Sequence, residues 1–277
     1  MSAVIWCGVL ALVCVLACVL RAVVKWQNSR VRLTEYTVRN AKIPPSFDGF
    51  SLFVISDLHD SPFAEQIETL VRQTAPDVLL FTGDLVFGDK TVDLGVAGKL
   101  LDALGGQYPV YGVSGNHEGD ETPTIAAQFR ARGGIWLDDR RETLTRGEES
   151  IFLTGIGDRS FAKIECAEKE ILTVMQRTAA DGYTVTLCHN PIWYRVLKDS
   201  ETDLVLSGHE HGGLIRLPLL GGMFGHEGQR LFPKYCLGRY RDGRAELIVS
   251  GGCDNGTHYP RLNSPPEVLL VRLRSTA

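Results

Sequence analysis

The sequence predicts an α/β domain of buried strands, preceded by one membrane-spanning helix. Short apolar runs alternate with polar loops and with segments whose apolar residues repeat at helical spacing, which is typical of successive βα units. Ahead of them, residues 3–20 carry no charge and form an apolar run long enough to cross a bilayer as a helix. An apolar share of 44% in 277 residues is ordinary for a folded chain with a sizeable core.

The apolar segment at the start has two interpretations. A secretory signal would need a basic start and a small-x-small cleavage site. Only Met1 and Ser2 precede the apolar run, and no Ala-x-Ala sequence follows it. We therefore expect an uncleaved membrane anchor at 1–25, a juxtamembrane segment at 26–44 and a single domain at 45–277.

The charges that follow the anchor predict its orientation. Arg21, Lys25, Arg30 and Arg32 lie on its C-terminal flank, so the positive-inside rule places the domain in the cytoplasm, as part of a single-pass protein of the inner membrane. The cysteines of the domain are scattered, without a CxxC pair or disulfide-like spacing, which agrees with that compartment. A net charge of −4 gives no basic footprint, so nucleic acid is not expected as a partner.

Strands and helices follow in order along the chain. Residues 31–38 alternate partly between apolar and polar and predict an edge strand, and Pro44-Pro45 predicts a turn. Strands covered on both faces read as continuous apolar runs, and such runs occur at 50–55, 77–82, 108–113, 150–155, 183–188, 204–206, 247–250 and 268–273. Helical spacing predicts helices at 64–75, 92–104, 122–132 and 165–179.

Polar side chains that can bind metal follow five of the predicted strands. The stretches are Ser56-Asp57-Leu58-His59, Thr82-Gly83-Asp84, Ser114-Gly115-Asn116-His117-Glu118, Cys188-His189-Asn190-Pro191 and Ser207-Gly208-His209-Glu210-His211. In α/β sheets, ligands bind beyond the carboxyl ends of the strands, so these side chains are expected at one place. Carboxylate, amide oxygen and imidazole suit divalent ions such as Mn, Fe, Zn or Co. Two such ions together are a recurring means of hydrolysing phosphate esters.

Each stretch taken alone has an ordinary structural interpretation. Asp57 could cap a helix, and Asp84 could belong to a turn. The functional interpretation starts from spacing: in an extended segment, residues two apart point to the same side, so Asp57 and His59 can reach one ion, and the same holds for His209 and His211. All the stretches in one order, each at a strand end, favour the functional interpretation.

The order D-x-H, G-D, G-N-H-E, H and G-H-x-H resembles that of the calcineurin-like metallophosphoesterases, over residues 45–275. Three further segments resemble the membrane-anchored bacterial YaeI/YkuE-type phosphodiesterases of that superfamily: 211–218, 232–235 and 260–267. The resemblance implies the metallophosphoesterase fold, a four-layer αββα sandwich in which two facing mixed β-sheets are flanked by helices.

The resemblance also implies a role for each site residue. Asp57, His59 and His211 would bind the first ion, and Asn116, His189 and His209 the second. Asp84 would bridge both ions, and His117 would stabilise or protonate the leaving oxygen. A water shared by the two ions would become acidic enough to attack phosphorus. Manganese is expected first, with Fe, Zn, Co or Mg as alternatives. Glu118 is expected to begin a helix rather than to orient His117.

The anchor and the resemblance together predict a lipid-linked substrate. Similar membrane-associated enzymes cleave the pyrophosphate of UDP-2,3-diacylglucosamine in lipid A biosynthesis and release UMP. The alternatives are a broad-specificity phosphodiesterase, a phosphoprotein phosphatase, or a non-catalytic metal-binding scaffold. Departures from the family pattern at Asp60, Leu214 and 251–256 leave the substrate open, and no residue is assigned to substrate binding.

Residues outside these stretches receive structural interpretations. Trp136, Trp193 and Tyr194 are expected in the core, and His226 and His258 near the surface. A solvated position, rather than a role in binding phosphate, is expected for three cations: Arg216, Lys234 and Arg261.

Overall fold

The computed structural model describes residues 2–88, 93–160, 162–225, 231–257 and 261–276. Its helices are α1 Ser2–Gln27, α2 Ala64–Thr74, α3 Gly95–Leu104, α4 Thr122–Ala131, α5 Ile164–Arg177 and α6 Tyr194–Leu197. The first seven strands are β1 Arg32–Asn40, β2 Ser51–Ile55, β3 Val78–Thr82, β4 Val110–Val113, β5 Ile135–Trp136, β6 Arg141–Arg146 and β7 Glu149–Ile156. The remaining strands are β8 Thr184–Cys188, β9 Leu204–Ser207, β10 Arg216–Leu217, β11 Gly221–Gly222, β12 Gly238–Tyr240, β13 Glu246–Val249 and β14 Glu267–Ser275.

The described strands form two six-stranded mixed sheets and one short ribbon. The first sheet has the order β1-β14-β2-β3-β4-β5, and the second has the order β12-β13-β9-β8-β7-β6. Strands β2, β3 and β4 run parallel to one another, as do β7, β8 and β9. The antiparallel ribbon β10–β11 lies outside both sheets.

Alternate residues of each buried strand face different layers. In β2, Phe53 and Ile55 pack with α2, α3 and α4, whereas Leu52 and Val54 pack against the second sheet. On the far side of the second sheet, α5 and α6 cover a third apolar cluster. The layers are therefore helices, sheet, sheet and helices, which confirms the predicted sandwich. Burial on both faces explains why these strands are continuous apolar runs.

Helix α1 presents an exposed apolar surface along most of its length. Its segment Ile5–Gln27 is long and apolar enough to cross a membrane. Beyond it, β1 pairs with β14 over nine residues at the edge of the first sheet. The sheet thus extends into the segment 26–44 that the sequence pattern assigned to the membrane junction.

The strands that sequence patterns missed are short or polar. In β6 (RETLTR) only Leu144 is buried, because this strand lies at a sheet edge and pairs on one side alone. Strands β5, β10, β11 and β12 have two or three residues each. The helix predicted at 92–104 begins at Gly95, and residue 92 lies outside the described residues.

Candidate metal centre

The loops after β2, β3, β4, β8 and β9 meet at the carboxyl ends of the two sheets. All seven side chains predicted as metal ligands lie in these loops, and two clusters of them have their ligand atoms within 4.8 Å of one another. The convergence follows from topology, since neighbouring parallel strands bring their carboxyl ends to the same edge.

The first cluster contains Asp57, His59 and His211, which are all buried. Nε2 of His211 lies 3.8 Å from Oδ1 of Asp57. Nδ1 of His59 lies 3.3 Å from the Val86 carbonyl oxygen, to which it can donate. That bond places the lone pair on Nε2, the nitrogen 3.5 Å from Oδ2 of Asp84.

The second cluster is built around His189. Its Nδ1 is 2.8 Å from the Thr82 carbonyl oxygen, so its Nε2 is again the free ligand atom. This Nε2 lies 3.2 Å from Oδ2 of Asp84, 3.2 Å from Oδ1 of Asn116 and 3.1 Å from Nδ1 of His209. Oδ2 of Asp84 therefore faces an imidazole of each cluster, which is the position that a bridging carboxylate needs.

The chemistry of this centre fits divalent cations. Buried Oδ2 atoms of Asp57 and Asp84 have no hydrogen-bond partner among the described residues, and buried carboxylate charge is costly without a counter-charge. Burial raises the pKa of Asp57 to about 6, with a further rise from Asp84 that His189 opposes. Burial alone would lower the pKa of His189, but the Asp84 and Asp57 carboxylates raise it to about 10. The cluster thus attracts positive charge, and two cations would supply it.

The backbone at the proposed ligands is not extended, so the reason given for the pairing of Asp57 with His59 is wrong. Five of the seven ligands have left-handed φ angles: Asp57 50°, His59 43°, Asp84 53°, His209 73° and His211 46°. Such angles are uncommon outside glycine and concentrate at functional sites. The spacing argument also fails for His209 and His211, because the two side chains enter different clusters.

Hydrogen bonds between distant loops hold these conformations. The His209 backbone N–H donates to Oδ1 of Asp57 at 2.9 Å. The His117 backbone N–H donates to Oδ1 of Asp84, also at 2.9 Å. In Asp84 one oxygen is thereby fixed by the backbone, and Oδ2 is turned towards the imidazoles of His59 and His189.

Glu118 has a role that the sequence pattern did not predict. It precedes a short 3₁₀ helix, Gly119–Glu121, but its side chain is fully buried and makes no cap to that helix. Oε2 accepts hydrogen bonds from the backbone N–H groups of Asp84 and Gly115, and Oε1 accepts from Leu85 and Val86. Burial, and then the nearby Asp84, raises the pKa of Glu118 to about 7. The carboxylate ties the loop after β3 to the loop after β4.

His117 lies at the opening of the centre and is half-buried. The Gly88 N–H donates to its Nδ1 at 3.2 Å, so Nδ1 is an acceptor and the ring proton lies on Nε2. The ring stacks on Phe87 with centroids 5.1 Å apart and meets His59 edge-on. Asp84, His59 and His117 also bring ligand atoms within 4.8 Å of one another. His117 thus presents an N–H donor beside the clusters.

Arg261 is buried rather than solvated, so the prediction of an exposed cation is wrong. Its guanidinium donates to the backbone carbonyls of Gly251, Asp254 and Ser264, among others. Burial lowers the pKa of this guanidinium, against the attraction of Asp254 and Asp57. The loop that it holds contacts the first cluster, where Oδ2 of Asp254 lies 4.0 Å from Nδ1 of His211.

The other structural interpretations have mixed outcomes. Trp136, Trp193 and Tyr194 lie in the core as predicted. Lys234 is exposed and pairs with Asp242, whereas the half-buried Arg216 donates to the Gly212 carbonyl. His226 and His258 lie outside the described residues.

A cavity of about 340 Å³ adjoins the second cluster through Asn190 and Glu210. Its apolar walls include Ile164, Pro191 and Ile192. The cation Arg195 at its rim is already paired with Glu168. The cavity therefore combines apolar walls with the charged side chains of Glu210, Arg195 and Lys234.

Replacing Gly83 by alanine should destabilise the centre. Its φ of +95° is unfavourable for alanine, and an added Cβ would lie 2.6 Å from Nδ1 of His189 and 2.7 Å from the Gly115 nitrogen. We expect a loss of roughly 2–5 kcal/mol in the free energy of unfolding, measured by denaturant titration. Gly106→Ala is the control, since nothing lies within 4 Å of its Cβ position. Equal stability of the two variants would contradict the close packing of these loops.

Comparison with known proteins agrees with the fold and the clusters. The family model described as calcineurin-like phosphoesterase matches residues 50–213, more than half of the chain. Metallophosphoesterase YkuE of Bacillus subtilis is 26% identical over 89% of this chain and 86% of its own length. Phosphodiesterase YaeI of Escherichia coli is 26% identical over 81% and 82%. A transmembrane protein with metallophosphoesterase domain from Danio rerio is 26% identical over 62% of this chain and 42% of its own length. The chain belongs to the calcineurin-like phosphoesterase family, and is thus a metal-dependent phosphoester hydrolase of a kind that uses a dinuclear metal centre.

Proposed function

We propose that the protein hydrolyses a membrane-associated phosphodiester or pyrophosphate, such as UDP-2,3-diacylglucosamine with release of UMP in lipid A biosynthesis. The observation that carries this proposal is the attachment of α1 to the loops beside the metal centre. Nδ2 of Asn28 donates to the Arg261 carbonyl at 3.1 Å, and the Asn263 N–H donates to Oε1 of Gln27 at 3.0 Å. A membrane-spanning α1 would hold the centre close to the bilayer surface, where lipid-linked phosphates lie.

The residues proposed to hold the ions are those that the geometry brings together. Asp57, His59 and His211 would bind one ion, Asn116, His189 and His209 the other, and Asp84 both. Manganese is proposed first, since it suits the carboxylate and amide oxygens, and Fe, Zn, Co or Mg are the alternatives. When bound, two divalent ions supply positive charge for the phosphoryl oxygens and lower the pKa of water towards neutrality.

His117 is proposed to stabilise the oxygen that leaves phosphorus. The Gly88 N–H donates to Nδ1, so Nε2 is the nitrogen that would donate to the substrate. The stacked Phe87 ring holds the imidazole plane in place.

The proposed location is the inner membrane, with the domain in the cytoplasm. The cations that follow the apolar part of α1 support this orientation. Protease added outside sealed, right-side-out vesicles should leave the domain intact. Digestion of the domain before the vesicles are lysed would show that the protein has the opposite orientation.

Turnover by the purified full chain tests the substrate. The protein should be stripped of metal, reloaded with Mn, Co, Zn or Mg, and assayed on UDP-2,3-diacylglucosamine beside bis-p-nitrophenyl phosphate. Preferred cleavage of the lipid with release of UMP supports the proposal. Equal turnover of both substrates, or activity on a phosphopeptide alone, would favour a broad phosphodiesterase or a phosphoprotein phosphatase instead.

Replacing His117 by alanine should lower kcat while metal content stays constant. We expect a loss on the order of 10²- to 10³-fold, the range found when one hydrogen-bond donor to a developing oxyanion is removed. Metal analysis and steady-state kinetics on bis-p-nitrophenyl phosphate measure the two quantities. Phe87→Leu, which removes the stacked ring but keeps the imidazole, should lose far less. Unchanged kcat in His117→Ala would remove this residue from the reaction.

A further inference from the structure

A crevice of about 510 Å³ lies between the end of α1 and the domain. One wall is formed by Arg21, Val24 and Lys25 of α1 and by Asn28 and Ser29 just beyond its end. Its opposite wall is formed by Pro62, Phe63 and Gln66, at the start of α2, and by the loop residues Asn255, Gly256 and Thr257. This crevice is separate from the cavity beside the second cluster.

The two walls are held at a fixed separation. Besides the bonds of Gln27 and Asn28, Nε2 of Gln66 donates to the Ser29 carbonyl at 3.2 Å. Oε1 of Gln66 accepts from the Val31 N–H at 3.1 Å. The crevice is therefore built into the junction and does not depend on a chance approach of the helix.

The charge of the crevice is positive and uncompensated. Arg21 and Lys25 are exposed, and no carboxylate is among the described residues that line it. Neither cation forms an ion pair within the part of the chain that the structure describes. Across from them, the Asn255 amide and the Thr257 hydroxyl add hydrogen-bond donors. An anion with several acceptor oxygens, such as a phosphate, matches this lining.

The position of the crevice along α1 indicates that the phosphate belongs to a lipid headgroup. The uncharged run 3–20 spans roughly 27 Å as a helix, close to the hydrocarbon thickness of a bilayer. Arg21 is the first residue beyond it, and Lys25 lies about 6 Å further along the axis. Both cations thus lie at the level of lipid headgroups.

We propose that this crevice binds the phosphate headgroup of an anionic phospholipid between Arg21 and Lys25 on one side and Asn255 and Thr257 on the other. The proposal rests on the proposed function only in that α1 spans the membrane. The site also adjoins the reaction centre, because the Asn255 N–H donates to Oγ of Ser61, two residues after His59. A bound lipid would fix the height of the first cluster above the bilayer.

The test measures lipid binding to the purified full chain in detergent by native mass spectrometry. Phosphatidylglycerol should bind more tightly than phosphatidylcholine. The double variant Arg21→Gln/Lys25→Gln should lower the affinity for phosphatidylglycerol about 30-fold, as expected for the loss of two interfacial cations. The matched control is Arg30→Gln/Arg32→Gln, which removes two cations of the same flank that do not line the crevice. Its affinity should stay within about threefold of the wild type. Equal binding of the two lipids, or an equal loss in the control, overturns the proposal.

Two further experiments distinguish this proposal from related ones. Equimolar inorganic phosphate should not displace phosphatidylglycerol, and displacement would make the crevice a site for soluble phosphate. Asp84→Asn, which should abolish turnover, should keep lipid binding, and its loss would place the lipid phosphate at the metal centre. Carbonate extraction of membranes tests α1 independently: release of the protein would refute the membrane span, while the lipid titration still reports on the crevice.

Discussion

Asp84→Asn is expected to abolish hydrolysis while the protein remains folded. The substitution keeps the size of the side chain but removes the charge that faces His59 and His189 at 3.5 and 3.2 Å. We expect kcat/KM to fall on the order of 10³-fold, since charge stabilisation is usually the largest single contribution in such centres. Bound metal should fall below two ions per chain. Kinetics on bis-p-nitrophenyl phosphate and elemental analysis measure the two effects.

The control for this variant is Asp102→Asn. The substitution Asp102→Asn makes the same chemical change at an exposed side chain that pairs with Arg132. Its activity and metal content should match the wild type, because surface ion pairs contribute little. Retention of two ions and of more than a tenth of the activity in Asp84→Asn would contradict the bridging role.

Glu118→Ala is expected to produce the largest loss of stability. Four backbone N–H groups would lose their acceptor inside the protein, and all four belong to the two loops that carry Asp84 and Asn116. We expect a loss of roughly 3–5 kcal/mol, because buried donors left without partners are costly. The melting temperature should fall by roughly 10 °C, as measured by calorimetry.

Two comparisons sharpen the interpretation of Glu118→Ala. Glu165→Ala changes an exposed glutamate in the first turn of α5 and should leave the melting temperature unchanged. Glu118→Gln keeps one acceptor oxygen and should fall between wild type and alanine. A melting temperature of Glu118→Ala within about 2 °C of wild type would show that these loops hold together without the carboxylate.

The sequence predicted where the candidate ligands lie because the topology of the sheets sets the position of the loops that carry them. Asp57, Asp84 and His189 follow apolar runs, and runs of parallel strands deliver their carboxyl ends to one edge. The local backbone could not be predicted in the same way. The left-handed turn at Asp57 is stabilised by a bond from the His209 N–H, 152 residues away in the sequence.

The burial of two charged side chains was also not predicted. Glu118 was expected to begin a helix, and Arg261 was expected in a solvated position. Both are instead satisfied by backbone groups of other loops, and backbone partners leave no mark in the side-chain pattern. The G-N-H-E order was the one signal for Glu118, and it comes from family resemblance rather than from spacing.

The pairing of β1 with β14 has a consequence for the order of events during synthesis. Thr34 in β1 donates to Glu267 in β14 across 233 residues of sequence. At about 5–20 residues per second, the ribosome needs on the order of ten to fifty seconds to make that intervening chain. Helix α1 would by then have left the ribosome and could already be inserted, while the first sheet still lacked its second strand. The domain would thus complete its folding at the membrane surface, already tethered there. A nascent chain stalled before β14 would be a membrane-bound intermediate with an unpaired edge at β2.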